Sequence, residues 1–241
     1  MRLRLDRYLA QKAYGTRSAV QAAVRAGRVS INGAVVRDPS THVTLGQDEV
    51  LFEGQKVDGR TAYHIMLHKP EGVLTAARDK KQPTVMDLLP PLYRAAACMP
   101  VGRLDKDTTG LLLFTTDGQL SHLLLSPKRH VDKVYLAAVR DALKPEDAAA
   151  FEAGLALSDF TALPARLDIL SPHEARVTVR EGKFHQVKRM FEAIGNEVLQ
   201  LHREAFGGVY LDPALPKGAF RDLTERETAL LYAQAAKGGA E

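Results

Sequence analysis

The 241 residues are 45% apolar and 26% charged, enough for one large domain or a small one plus a medium one, and ordinary for a globular protein rather than a disordered or fibrous one. No run approaches the roughly 18 apolar residues of a membrane span and no signal-peptide pattern opens the chain, so a cytoplasmic protein is expected. A single cysteine, Cys98, rules out an internal disulfide framework and a cysteine-based zinc cluster, and it reads as a free buried thiol.

Net charge is only +4, but it is unevenly spread. Residues 1–37 hold eight Arg or Lys (Arg2, Arg4, Arg7, Lys12, Arg17, Arg25, Arg28, Arg37) against Asp6 alone, a net +7, so the remainder sums to −3. A basic module ahead of a near-neutral body points to a nucleic-acid anchor joined to something else. Leu3, Leu5, Tyr8, Leu9 and Ala13 lie near helical spacing, with Gly15 as the stop. Thr16 or Ser18 caps a second helix whose apolar face is Ala19, Val20, Ala23 and Val24, ended by Gly27. Residues 28–31, then Asn32-Gly33, then residues 34–36 spell a hairpin, because Asn-Gly supplies both positive φ values of a type I′ turn. Residues 50–52 add a short strand. Arg17, Arg25 and Arg28 bracket the second helix and open the hairpin. They are placed to share a face and meet phosphates, against the alternative of a solvated surface.

Residues 56–60 are a short polar linker, which sets expected domains of 1–60 and 61–241. Residues 63–68 then read as a strand stopped by Lys69-Pro-Glu-Gly72, and residues 83–89 as a short helix closed by Pro90-Pro91. Next, a charged loop over residues 102–110 runs straight into Leu111-Leu-Leu-Phe114, a continuous apolar run that reads as a buried strand. The loop hangs Arg103, Asp105 and Asp107 at the rim of that strand, and loops held by rigid strands are where chemistry gathers. A plain turn competes with this reading, since Asp bonds its own backbone. Asp105-x-Asp107-x-x-Gly110 also opens like a calcium loop, but Thr109 and Thr116 stand at its fifth and twelfth positions, the latter where a bidentate glutamate is needed.

Residues 119–125 read as a helix capped near Asp117 and ended by Ser126-Pro127. Lys128-Arg-His130 makes a basic turn into a strand over 133–139. Residues 145–154 form a helix, and residues 174–181 alternate as a strand with Arg176 and Arg180 on one side. Gly182 breaks that strand. Val187, Met190, Phe191 and Ile194 then recur at helical spacing up to Gly195, which puts Lys188 and Arg189 in a first helical turn. Cations there oppose the helix dipole, and an anionic partner nearby would explain them. A final strand and turn span 198–210, followed by a helix over 223–236.

Four stretches in this order resemble the pseudouridine synthases. Gly102-Arg-Leu-Asp105 with Thr108-Thr-Gly-Leu-Leu-Leu113 and Thr116-Asp-Gly118 is similar to the catalytic motif of that family. Lys133-Val-Tyr135 and Phe184-His-Gln-Val-Lys-Arg-Met190 resemble its next two elements. Residues 4–10 and 23–33 resemble the S-four-like (α-L) RNA-binding domain, which positions RNA chiefly by phosphate contact and shape. Leu125-Ser-Pro-Lys-Arg-His130 and the lack of a long basic C-terminal extension favour the small-subunit ribosomal branch. The chain has His68 where the family usually has Asn.

The resemblance implies an α+β architecture: a small RNA-binding domain followed by a mixed, mostly antiparallel sheet flanked by helices. It implies an isomerase that turns one uridine of 16S rRNA, at position 516, into pseudouridine. Asp105 takes the catalytic role, as nucleophile at the anomeric carbon or as base at the ribose hydroxyl. Lys188 pairs with Asp105, with Arg189 as the fallback. Tyr135 stacks on the uracil and helps to remove the proton on the ring carbon. Arg103 fills the place of an everted nucleotide. Lys69, Lys128 and Arg129 contact the RNA backbone or are solvated charges. The chemistry involves no redox step or group transfer, so no cofactor and no metal are expected. The expected partner is 16S rRNA or a partly assembled small subunit, met by a monomer away from any membrane. Two rivals remain, a sister enzyme acting on 23S rRNA and a non-catalytic RNA-binding assembly protein.

Overall fold

Leu3 was expected at the head of a helix, but in the computed structural model, which describes residues 1–237, it lies in a strand. Arg2–Arg4 (β1) is extended and the first helix, α1, covers Leu5–Gln11. The second helix, α2 (Arg17–Arg25), is capped by the Thr16 hydroxyl, which accepts from the Ala19 amide. The hairpin joins β2 (Val29–Ile31) to β3 (Ala34–Val36) through Asn32 and Gly33, at φ 50° and 82°. Three strands follow: β4 (His42–Thr44), β5 (Val50–Phe52) and β6 (Gln55–Lys56). The last two complete a sheet in the order β3-β2-β5-β6, while β4 pairs with β1, so Leu3 is used opposite Val43. Leu5, Leu9, Val20, Val24, Val29 and Val50 form the core of this unit. Asp6 is fully buried and accepts from Arg4, Arg17 and Gln21, tying α1 to α2. Burial alone would raise its pKa, but these donors hold the carboxyl well below the usual range.

The chain divides into two compact units, residues 1–63 with 89–99, and residues 64–88 with the chain from 100 onward. The segment 89–99, expected in the second domain, groups with the first. Its helix α3 (Pro91–Ala95) presents Tyr93 edge-on to Tyr63, with ring centroids 5.6 Å apart, and the buried thiol of Cys98 lies 3.9 Å from the Tyr63 carbonyl.

The larger unit is built on one sheet. Its elements are β7 (His64–Lys69), a short strand β8 (Met99–Pro100) where the chain returns to it, β9 (Thr109–Thr115), α4 (Gly118–Leu125), β10 (Lys133–Val139) and α5 (Pro145–Ala153). Then come β11 (Arg166–Ser171), β12 (Glu174–Val179), α6 (Gln186–Ala193), β13 (Val198–Phe206), β14 (Val209–Tyr210), β15 (Phe220–Asp222) and α7 (Glu225–Ala236). The main path runs β11-β12-β10-β13-β9-β7-β15. Each neighbouring pair on it is antiparallel except β13 with β9. Leu111, Leu113, Phe206 and Val209 from the sheet, with Leu120, Leu124, Leu231 and Ala235 from α4 and α7, make a buried core. On the other helical pair, Phe151 of α5 meets Phe191 of α6 at 5.1 Å.

Three expectations are corrected. Residues 83–89 contain a 3₁₀ turn, Val85–Leu88, rather than an α-helix. Residues 198–210 are not the final strand, because β15 pairs with β7 at the sheet edge. The other edge, β11, was also missed. Among the described residues, no helix is long and apolar enough to cross a membrane.

Candidate active site

Everything in the larger unit's main cleft hangs on how the loop before β9 is held. The loop starts at the core, where the Val101 amide bonds the Leu113 carbonyl at 2.7 Å. The Thr75 hydroxyl donates to the Leu104 carbonyl at 2.7 Å, and the Thr108 amide bonds the Asp105 carbonyl at 3.2 Å. At its far end Gly110 sits at φ 105°, opposite Arg203 in the parallel β9–β13 ladder. An ideal Cβ there would lie 2.3 Å from the Arg203 carbonyl oxygen, so only glycine lets the two strands approach.

Lys69 does a different job from the one expected. It is fully buried, and its Nζ donates to the carbonyls of Pro70, Lys106 and Thr108 at 3.1, 3.2 and 2.9 Å. It therefore fastens the loop from within rather than contacting RNA. Burial pulls its pKa down to about 8 against the raising influence of Asp107 and Asp105.

The loop delivers Asp105, 29% exposed at its side chain, into a cleft of about 1000 Å³. Arg103, Tyr135, Lys133, Arg203 and His185 line the same cleft. Asp105 and Tyr135 are thus brought together. Lys188 is not brought to Asp105: its Nζ bonds both carboxylate oxygens of Asp107, at 2.7 and 2.6 Å. Burial works against ionisation of Asp107, but the Lys188 hydrogen bond and charge keep its pKa below the ordinary value. The expected fallback is also engaged, since Arg189 pairs with Asp159 and donates to the Ser158 hydroxyl at 3.0 Å. The two cations in the first turn of α6 do have anionic partners, and both are carboxylates of this chain.

The group beside Asp105 is instead His185, whose Nε2 lies 3.6 Å from Oδ1. His185 caps α6 in the left-handed region, φ 50°, and its ring stacks on Phe184 at 3.8 Å and 17°. Phe184 is 75% exposed at the cleft. Neither was singled out from sequence, although an apolar ring between Lys183 and a His-Gln pair is itself unusual for a surface turn.

Arg203 and Lys133 were missed too. β13 alternates so that Leu201 and Arg203 line the cleft while His202 and Glu204 line a smaller hollow of about 510 Å³. An arginine on the inward side of a strand, flanked two residues away by Leu201 and Ala205, is the signal that was available. Of the remaining basic residues, Arg103 and Lys128 are exposed and Arg129 is half-buried. In the smaller unit Arg17 is bonded to Asp6, Arg28 pairs with Glu53 at 3.1 Å, and Arg25 is exposed.

The arrangement sets the Asp105 carboxylate, a tyrosine and two buried cations, Lys133 and Arg203, around one cleft. Comparison with known proteins gives the family. Residues 63–193 match the RNA pseudouridylate synthase family model and residues 3–50 match the S4 domain. An uncharacterised RNA pseudouridine synthase of Bacillus subtilis, YtzG, is 44% identical over 95% of this chain and 98% of its own. Ribosomal small subunit pseudouridine synthase A of Pseudomonas aeruginosa is 42% identical, covering 93% and 98%, and that of Escherichia coli K12 is 38% identical, covering 94% and 99%. A crystal structure of a pseudouridylate synthase superimposes with a TM-score of 0.67 at 39% identity, covering 95% of this chain and 99% of the other. The chain belongs to the RNA pseudouridine synthase family, isomerases here preceded by an S4 RNA-binding domain.

Proposed function

We propose that the chain isomerises one uridine of small-subunit rRNA, uridine 516 of 16S rRNA, in the free RNA or a partly assembled subunit, acting as a cytoplasmic monomer. The names of the relatives from Pseudomonas aeruginosa and Escherichia coli support the target. The observation that carries the chemistry is the sharing of one cleft by Asp105 and Tyr135, with Arg203 as the cross-strand neighbour of Tyr135.

Asp105 engages the ribose as the N1–C1′ bond breaks, either by adding to C1′ or by taking a sugar proton. The uracil turns, C5 joins C1′, and the proton on C5 is lost while N1 gains one. No atom or electron is exchanged with a cofactor. Tyr135 supplies a ring for the base to lie on and a hydroxyl to relay the C5 proton. Lys188 acts through Asp107, holding the loop that carries Asp105. Arg103 takes the place of the everted nucleotide, since a guanidinium plane stacks on bases. Lys128, Arg129, Arg25 and the outer faces of Arg17 and Arg28 meet phosphates.

Pseudouridine mapping of both rRNAs in a deletion strain tests this. Loss of one small-subunit site is the expected result, and loss of a large-subunit site or of none would overturn it. Purified Asp105→Asn is expected to bind the transcript with unchanged affinity and to show no turnover.

A further inference from the structure

The floor of the same cleft carries two buried cations to which the reading above assigns no role. Arg203 is 1% exposed; its Nε donates to the Leu111 carbonyl at 2.7 Å, while its Nη2 is buried and has no partner. Lys133 is 8% exposed and donates to the Val131 carbonyl at 2.9 Å. Both lie against the Phe206 ring, at 5.5 and 5.3 Å from its centroid. The carboxylates nearest Lys133 are committed elsewhere: Asp132 accepts from Arg180 at 3.0 Å, and Glu181 from Gln186 and the Leu163 amide at 2.8 and 2.7 Å. Buried cations without a neutralising anion are costly. They are retained where an anion or a strong acceptor arrives with the ligand.

The strand register says what arrives. Tyr135 stands directly opposite Arg203 across the β10–β13 ladder, and cross-strand partners share a face. A base lying on the Tyr135 ring therefore presents its edge to Arg203. Leu201, Phe206 and Val179 also line this cleft, which suits a flat base, whereas the exposed Lys183 at its rim suits a phosphate.

We propose that Arg203, supported by Lys133, donates a hydrogen bond to a carbonyl oxygen of the everted uracil and holds the negative charge that gathers there during cleavage. The inference rests on the isomerase reading with Asp105 at the sugar. When N1–C1′ breaks heterolytically, the electron pair leaves with N1 and spreads over N1, O2 and O4. The same electrons form the C5–C1′ bond after the ring has turned. Arg203 and Lys133 keep their protons throughout; they stabilise charge where it develops.

Single-turnover rates test this, on a transcript carrying uridine, 2-thiouridine or 4-thiouridine at the target, with wild type, Arg203→Met and Arg203→Lys. Sulfur accepts hydrogen bonds poorly, so it deletes the contact from the substrate side. Arg203→Met is expected to lose about 100-fold in rate, the effect of removing one oxyanion-type donor, with transcript affinity unchanged and Arg203→Lys partly rescued. One thio-substitution should slow wild type but leave Arg203→Met unaffected. Equal factors in both enzymes for both thio-transcripts, or a Met variant as fast as wild type, would overturn the proposal. Should Arg203→Met not fold, Lys133→Met and Arg203→Lys carry the same comparison. The underlying reading fails separately, if Asp105→Asn turns over.

Discussion

Lys69→Met separates a clamp from a surface contact. Methionine is close to lysine in size, so the change removes the charge and donors while leaving little cavity. Two of the three lost hydrogen bonds, to Lys106 and Thr108, hold the Asp105 loop, and bonds from a charged donor contribute about 1.5–3 kcal/mol each. Against that loss of about 3–6 kcal/mol stands the burial of the amine. It draws the pKa from 10.5 to about 8, a cost near neutral pH of about 3 kcal/mol. The two nearly offset, so global stability should fall by no more than about 2 kcal/mol in urea titrations. The damage appears locally instead: the two carbonyls must turn to water, amide exchange at residues 105–108 should speed up about tenfold or more, and turnover should drop by a similar factor. The pH dependence checks the same account. Between about 8 and 10.5 the unfolded chain carries a proton on Lys69 that the folded chain has lost, so stability rises with pH across that window. Lys133, also held at about 8 by burial and then by Arg203, contributes in the same sense, so the variant should show a smaller rise than the wild type. A variant with unaltered turnover and loop exchange, but weakened RNA binding, would refute the clamp and restore Lys69 to the surface role.

Gly110→Ala places a methyl group 2.3 Å from the Arg203 carbonyl oxygen at φ 105°, a clash with backbone plus left-handed strain. It should cost about 3–5 kcal/mol by denaturant titration, and a cost below about 1 kcal/mol would mean the β9–β13 contact is looser than described. Lys188→Met, Asp107→Asn and the double variant form a cycle: if Lys188 works through Asp107, all three lose turnover to a similar extent. Because Asp107 is well exposed, stability should change by no more than about 1 kcal/mol. Additive losses in turnover would point to a separate action of Lys188 on the reaction.

What was legible in the sequence had local causes. The Asn32-Gly33 turn, the Thr16 and Asp117 caps and the apolar run of β9 each depend on a few adjacent residues, and each stands where it was read. β1 was misread because Leu3 satisfies helical spacing equally well; only its long-range pairing with Val43 decides. β11 is a sheet edge with mostly exposed side chains and β15 an edge of three residues, two of them half-buried, so neither shows a clean apolar period. Asp105 and Tyr135 were singled out through motif likeness, and both line one cleft. Pairing was beyond reach. Nothing in the spacing of Asp105, Asp107 and Lys188 tells which aspartate the lysine meets, because loop backbone geometry sets that. Nor does a Lys-Pro turn announce that its lysine points inward to three carbonyls.

That pairing has a chemical consequence. A lysine bonded through both carboxylate oxygens would occupy about two of the four lone-pair sites with which a carboxylate attacks a sugar carbon or takes a proton, and would make both oxygens less basic. Here that embrace falls on Asp107, which then acts as an anchor between the loop and α6. It also offsets the unfavourable placing of a cation in the first turn of that helix. Asp105, two residues earlier, faces the cleft with the His185 Nε2 3.6 Å from its Oδ1, beyond hydrogen-bond reach. The loop thus divides two demands between two aspartates. Asp107 holds the structure, and Asp105 keeps its oxygens open to the cleft, as the proposed attack on the ribose requires.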